Sequence, residues 1–140
     1  MRTPRRILAT VALAAILSAR ADVVVVVSVR SPVQSLNAQQ VEDIFLGRTR
    51  APSADGPLEP VDLAEGSADR DDFYRRTAGM SATQITSYWA HMIFTGRGTP
   101  PLEIGSESAV RQLMSRNPRV LAYLPRKDVD DTMRIVFVPR

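Results

Sequence analysis

Val23–Val29 is valine at every position except Ser28. β-Branched side chains are stiff about χ1 and fit the pleated surface of a strand. A strand with one wet face alternates apolar and polar residues, and this one does not. Both of its faces must therefore be covered, which calls for helices on each side of a sheet. The fold class that follows is α/β, a single three-layer lobe with a mixed, mostly parallel sheet flanked by helices.

The remaining patterns fit that layout. Asn37 is placed to cap a helix running to about Leu46, with Val41, Ile44 and Phe45 on one stripe and Gly47 as its stop. Arg48–Pro60 carries turn residues, and Leu58–Leu63 reads as a second short strand. Ser67 is placed to cap a helix over Ala68–Thr77, and Ser81 a longer one to about Phe94. In the longer helix Ile85, Tyr88, Trp89, Met92 and Ile93 fall on one face, which the periodicity turns inward. Thr95–Pro101 is a Gly/Pro loop, and Ser106 caps a helix to about Arg116 that Pro118 stops. Val120–Leu124 and Met133–Val138 read as strands joined by the polar stretch Arg126–Asp131. Early alternation predicts parallel pairing, and the two consecutive last strands predict a hairpin or an edge pair.

The first 21 residues have the organisation of a secretory leader. Met1–Arg6 is basic, Ile7–Leu17 is apolar, and Ala19-Arg20-Ala21 is a small-x-small cleavage site. The apolar run is shorter than the roughly 20 residues needed to span a bilayer. The expectation is a domain of residues 22–140, released by cleavage after Ala21 into the periplasm and not inserted in the membrane. Net charge is +3 over the 140 residues. Four of the 18 basic residues precede position 22, leaving 14 against all 15 acidic ones, a net of −1 for residues 22–140. A near-neutral body has no basic stripe for a phosphate backbone, so nucleic acid is not expected as a partner.

No cysteine is present, which removes disulfides, thiolate metal sites and thiol nucleophiles. His91 is the one histidine, and no GxSxG, P-loop, GxGxxG or HExxH pattern occurs. The chain is accordingly read as a non-enzyme without cofactor or metal. The acids Asp69, Asp71 and Asp72 fit the start of a helix, where carboxylates are favoured. Asp128, Asp130 and Asp131 fit a solvated turn.

One segment has ligand chemistry. Glu65-Gly66-Ser67-Ala68-Asp69-Arg70 follows a predicted strand and opens a predicted helix. Gly66 permits a tight turn, Ser67 offers a hydroxyl, and the first N–H groups of the helix suit an anion. Arg70 adds a fork of donors, while Asp69 opposes negative charge. Thr95-Gly96-Arg97-Gly98 is a second place where glycines around an arginine can form an anion nest. The ligand-binding residues are thus Gly66, Ser67 and Arg70, with weaker candidates Asp69 and Arg97.

A series of motifs now adds a resemblance. It comprises Val23–Val29, Ile44-Phe45-Leu46-Gly47-Arg48, Pro60-Val61-Asp62 and Arg70-Asp71-Asp72-Phe73. It continues through Tyr88-Trp89, Phe94-Thr95-Gly96-Arg97-Gly98, Pro100-Pro101 and Val120-Leu121-Ala122-Tyr123. This series resembles the phosphate-type periplasmic substrate-binding proteins of ABC transporters, in particular their short single-lobe relatives. The resemblance implies a periplasmic-binding-protein-like lobe that binds phosphate or another small oxyanion. It also implies a membrane transporter or sensor as partner. Its anion loop reads Arg-x-Asp-Gly-Ser-Gly-Thr. Against it, Ser67 matches, Leu63 stands where the arginine would be, and Ala68 and Asp69 stand for Gly-Thr. One lobe cannot close on a ligand, so tight binding would need a partner chain, a homo-oligomer to supply the missing wall, or a different ligand. The alternative is a ligand-free lobe serving as a protein-interaction module in the cell envelope.

Overall fold

The computed structural model describes residues 22–50 and 56–140. The leader assigned to residues 1–21 lies outside the described residues, as do residues 51–55 of the loop before the second strand. Five strands are present: β1 (Val23–Ser28), β2 (Glu59–Leu63), β3 (Leu102–Ile104), β4 (Val120–Pro125) and β5 (Met133–Phe137). Four helices accompany them: α1 (Ala38–Phe45), α2 (Ala68–Ala78), α3 (Ala82–Phe94) and α4 (Glu107–Arg116). The architecture is mixed α/β, as the valine run requires.

The strands form one sheet in the order β3-β2-β4-β1-β5. β2 pairs in parallel with β3 and with β4. β1 runs antiparallel to both of its neighbours, β4 and β5. Four strands therefore point one way and β1 alone points the other. Two pairings differ from the sequence expectation. β1 and β2 do not pair, because β4 lies between them. β4 and β5 form no hairpin, because β1 lies between them. Register gives the reason: Pro125 ends β4 beside Val23, whereas Met133 begins β5 beside Ser28. Residues 126–132 carry the chain from one end of β1 to the other, a path that a tight turn cannot take. Those residues include a 3-10 turn, Arg126–Asp128. Strand β3 has only three residues and no apolar run long enough to announce it; pairing with β2 alone defines it.

All residues of β1 and β4 are buried. Phe45 of α1 and Phe73 of α2 meet Tyr123 of β4: Phe73 stacks on Tyr123 with centroids 3.9 Å apart, and Phe45 meets Phe73 edge-on at 4.8 Å. α4 contributes Val110 and Met114 to the same core and packs on β1, β3 and β4. Asn37, Ser67, Ser81 and Ser106 each cap a helix, accepting from the backbone N–H three residues on. Asn37 with Gln40 and Ser81 with Gln84 form reciprocal capping boxes. Gly47 follows α1 in the left-handed conformation, φ 67°.

On α3, Ile85 and Trp89 are buried, but Ile93 is 57% exposed, contrary to the inward face expected for it. The last turn of α3 runs past the core, and Phe94 beside it is 91% exposed. Among the described residues no helix is long and apolar enough to cross a membrane.

Candidate functional site

Strand β2 ends at Leu63, and four residues turn the chain into α2. The Ser67 N–H donates to the Ala64 carbonyl at 3.0 Å and closes that turn. Gly66 sits at φ 86°, where a Cβ would be strained, and no atom lies near the position a Cβ would occupy. Ser67 Oγ accepts from the Arg70 backbone N–H at 3.3 Å, and the Ser67 carbonyl accepts from Asp71 N–H at 3.1 Å. The N–H groups of Ala68 and Asp69 have no acceptor among the described residues. They are the first two of the helix, the ones its geometry leaves open to an external acceptor.

Behind this turn lies a buried polar cluster. Arg70 is buried, and its Nε stands 3.3 Å from Asp62 Oδ2, an ion pair without the alignment of a hydrogen bond. Asp62 also accepts from the hydroxyl of Tyr74 at 2.7 Å and from the hydroxyl of Tyr123. Tyr123 in turn accepts from Leu63 N–H at 3.2 Å. The guanidinium carbon lies 5.3 Å from the centre of the Tyr74 ring. Burial pulls the Arg70 pKa down, but Asp62 together with Tyr74 and Tyr123 outweighs that and holds it above the usual arginine value. Burial, then the Asp62 carboxylate, raises both tyrosines far above the usual phenol range, so both remain donors. The terminal nitrogens of Arg70 have no partner among the described residues, and the 9% of side-chain surface still exposed does not include the buried Nε. Asp62 thus fixes the stem of the guanidinium and leaves its fork unused.

Gly66, Ser67 and Arg70 are therefore together at the head of α2. Asp69 shares the turn and interacts with Glu107 at the start of α4 and with Lys127 and Asp128 of the 3-10 turn. Partial burial first, then Glu107, pushes its carboxyl above the usual value. Arg97 is elsewhere. β2 and β3 are parallel, Ser67 follows the end of β2, and Arg97 precedes the start of β3, so the two lie at opposite ends of the strands. His91 is exposed on α3. Asp72 pairs with Arg75 and, at 2.9 Å, with Arg76 on its own helix. Among the described residues no group of three or more His, Asp or Glu could hold a metal ion.

Sequence reasoning did not foresee the Asp62, Tyr74 and Tyr123 cluster as a unit. Its one local signal is Asp62 between the apolar Val61 and Leu63 of β2, since a buried carboxylate needs partners.

No protein-family model and no curated protein matches the chain. Solved structures do. One is assigned as a phosphate ABC transporter substrate-binding protein from Clostridium perfringens, solved with bound phosphate. It superposes with a TM-score of 0.64 at 21% identity, over 82% of this chain and 44% of that one. An ABC-type phosphate transport receptor from Vibrio cholerae matches with a TM-score of 0.64 at 18% identity, over 82% and 45%. The chain spans less than half the length of either protein, and at these identities what it shares with them is the fold: a binding-protein-like α/β lobe.

Proposed function

We propose that this chain is an exported, non-enzymatic binding module that takes phosphate or a similar small oxyanion at the head of α2, through Gly66, Ser67 and Arg70. The observation that carries this reading is the Arg70 guanidinium, held by Asp62 with no hydrogen-bond partner for its terminal nitrogens among the described residues, on a residue of the same first turn as two N–H groups without an acceptor there. An oxyanion supplies the acceptors that these donors lack. The similarity in fold to two phosphate-receptor structures supports it. Leu63 in place of an arginine, Asp69 in the first turn and a site open to water all keep binding weak, with a Kd on the order of 1 mM. The leader directs the domain to the periplasm, where a membrane transporter or sensor reads the bound state.

Thermal melting with inorganic phosphate tests the reading. A ligand at ten times its Kd stabilises by about 1.4 kcal/mol, worth a few degrees in Tm. The rise is expected for the parent protein and for chloride-matched controls to lack it. It should shrink in Ser67→Ala and in Arg70→Lys, which keeps the charge beside Asp62 but loses the fork. No rise in the parent protein at tens of millimolar phosphate would overturn the reading.

A second reading rests on Ile93 and Phe94, 57% and 91% exposed side by side at the end of α3. It makes the domain a protein-interaction module of the cell envelope with no ligand of its own. It predicts self-association or partner binding that Phe94→Ser abolishes without lowering Tm.

A further inference from the structure

At the end of β2 away from Ser67 the surface opens into a cavity of about 650 Å³. That is within the roughly 300–1,000 Å³ of small-molecule sites. Its apolar lining includes Pro57, Pro60, Pro100, Pro101, Leu102 and Trp89. Proline fixes its own φ, so the four prolines hold this wall with little freedom to collapse. Gly98 lines the same cavity beside the Trp89 ring, and an added Cβ there would come within 3.3 Å of Met92 Cε and 3.8 Å of Trp89 Cζ3.

The charges around it are unbalanced. Arg50, Arg97 and Arg119 line the cavity, and Glu59 is the single acidic residue among the described lining. Glu59 is committed twice, to Arg119 and to the amide of Asn117 at 2.8 Å. Neither Arg50 nor Arg97 makes an ion pair or side-chain hydrogen bond with a described residue. The cavity therefore combines an apolar wall with two guanidinium groups that have no counter-charge among the described residues. Each can bind a carboxylate or phosphate through two parallel donors.

We infer that this cavity is a second binding site, for a small amphiphilic anion: an aromatic ring carrying a carboxylate or phosphate ester group. The ring lies against the prolines and Trp89, and the anionic group sits between Arg50 and Arg97. Neither half of such a ligand suffices alone. A bare anion at a wet rim gains little from exposed arginines. A neutral ring leaves both charges unanswered. This site is independent of the one at Ser67, from which the length of β2 separates it.

Trp89 is the chain's single tryptophan, so its fluorescence reports on this cavity alone. Phenylacetate, which is transparent at the wavelength used to excite indole, is the probe. It should change Trp89 emission saturably in the millimolar range, with acetate and benzyl alcohol at least ten times weaker. Arg97→Ala and Arg50→Ala should each raise the Kd about five- to tenfold, the loss of one charge-assisted contact. Both variants should keep the parent Tm, because neither side chain has a partner to lose among the described residues. Ser67→Ala and saturating inorganic phosphate should leave the response unchanged. Four outcomes would overturn the inference: no saturable change, a Kd unaffected by both arginine variants, benzyl alcohol equal to phenylacetate, or a response lost in Ser67→Ala.

Discussion

The Tyr74 hydroxyl donates a 2.7 Å hydrogen bond to Asp62 Oδ2 across the junction of α2 and β2. The same oxygen faces Arg70 Nε at 3.3 Å. One strand carboxylate thus ties the helix that opens at Ser67 to the sheet, and the Tyr123 hydroxyl completes its coordination from β4. The candidate anion site is positioned by this cluster rather than by the turn alone.

Asp62→Asn should be strongly destabilising. The replacement keeps the shape but leaves the buried Arg70 cation without its counter-charge. Breaking a buried pair from one side costs about 3–5 kcal/mol. Urea unfolding should show a lower midpoint with an unchanged slope. A cost near zero would mean that solvent already screens Arg70.

The tyrosine cluster makes an alkaline prediction. The folded pKa values of Tyr74 and Tyr123 are raised far above the ordinary value of 10.0 by burial and by Asp62. Their contribution to stability is full below about pH 10 and declines above it, because the unfolded chain ionises and the folded chain does not. Absorbance at the tyrosinate band should therefore account for fewer than the chain's three tyrosines while the native circular dichroism persists. The remainder should appear together with unfolding. Full ionisation within the native protein would contradict the burial of both hydroxyls.

Asp69 acts with the sign that its raised pKa dictates. The folded protein binds its proton more tightly than the unfolded chain does, through burial and through Glu107, Asp128 and Asp72, with Lys127 opposing. Stability then falls as pH rises from the ordinary carboxylate value of 3.8 through the folded value. Asp69→Asn should be more stable than the parent at neutral pH, and the two should converge in acid. Paired denaturation curves at pH 3 and pH 7 check this. The same variant should also bind phosphate more tightly, since it removes a like charge from the first turn.

Gly66→Ala isolates a backbone effect. Nothing lies within 4 Å of the added methyl group, so the cost is that of an L-residue at φ 86°. About 1–2 kcal/mol is expected, against about 1 kcal/mol for loss of the cap in Ser67→Ala. Because Ser67 N–H closes this turn onto Ala64, phosphate binding should weaken in Gly66→Ala even where the protein remains folded.

The helix starts were legible because they are local. Each of Asn37, Ser67, Ser81 and Ser106 acts on a backbone N–H three residues away, so a short stretch of chain decides the matter. The buried valine strand was legible for a similar reason: its composition alone excludes a wet face. Gly66, Ser67 and Arg70 come together because they share one turn and the helix that follows.

Strand neighbours were beyond such reading. The placement of β1 between β4 and β5 depends on contacts about a hundred residues apart, and on residues 126–132 crossing the sheet rather than turning back. The pairing of Asp62 with Tyr123 spans 61 residues, and no spacing rule links them. Arg97 shares a glycine-rich pattern with anion nests, yet its position before β3 puts it at the far end of the strands from Ser67. Local chemistry determined which segments are helix or strand, β3 excepted, and where a helix tip is left open. Only tertiary packing decided which strands adjoin and which carboxylate holds Arg70, because burial energies are set by the neighbours that the fold brings together.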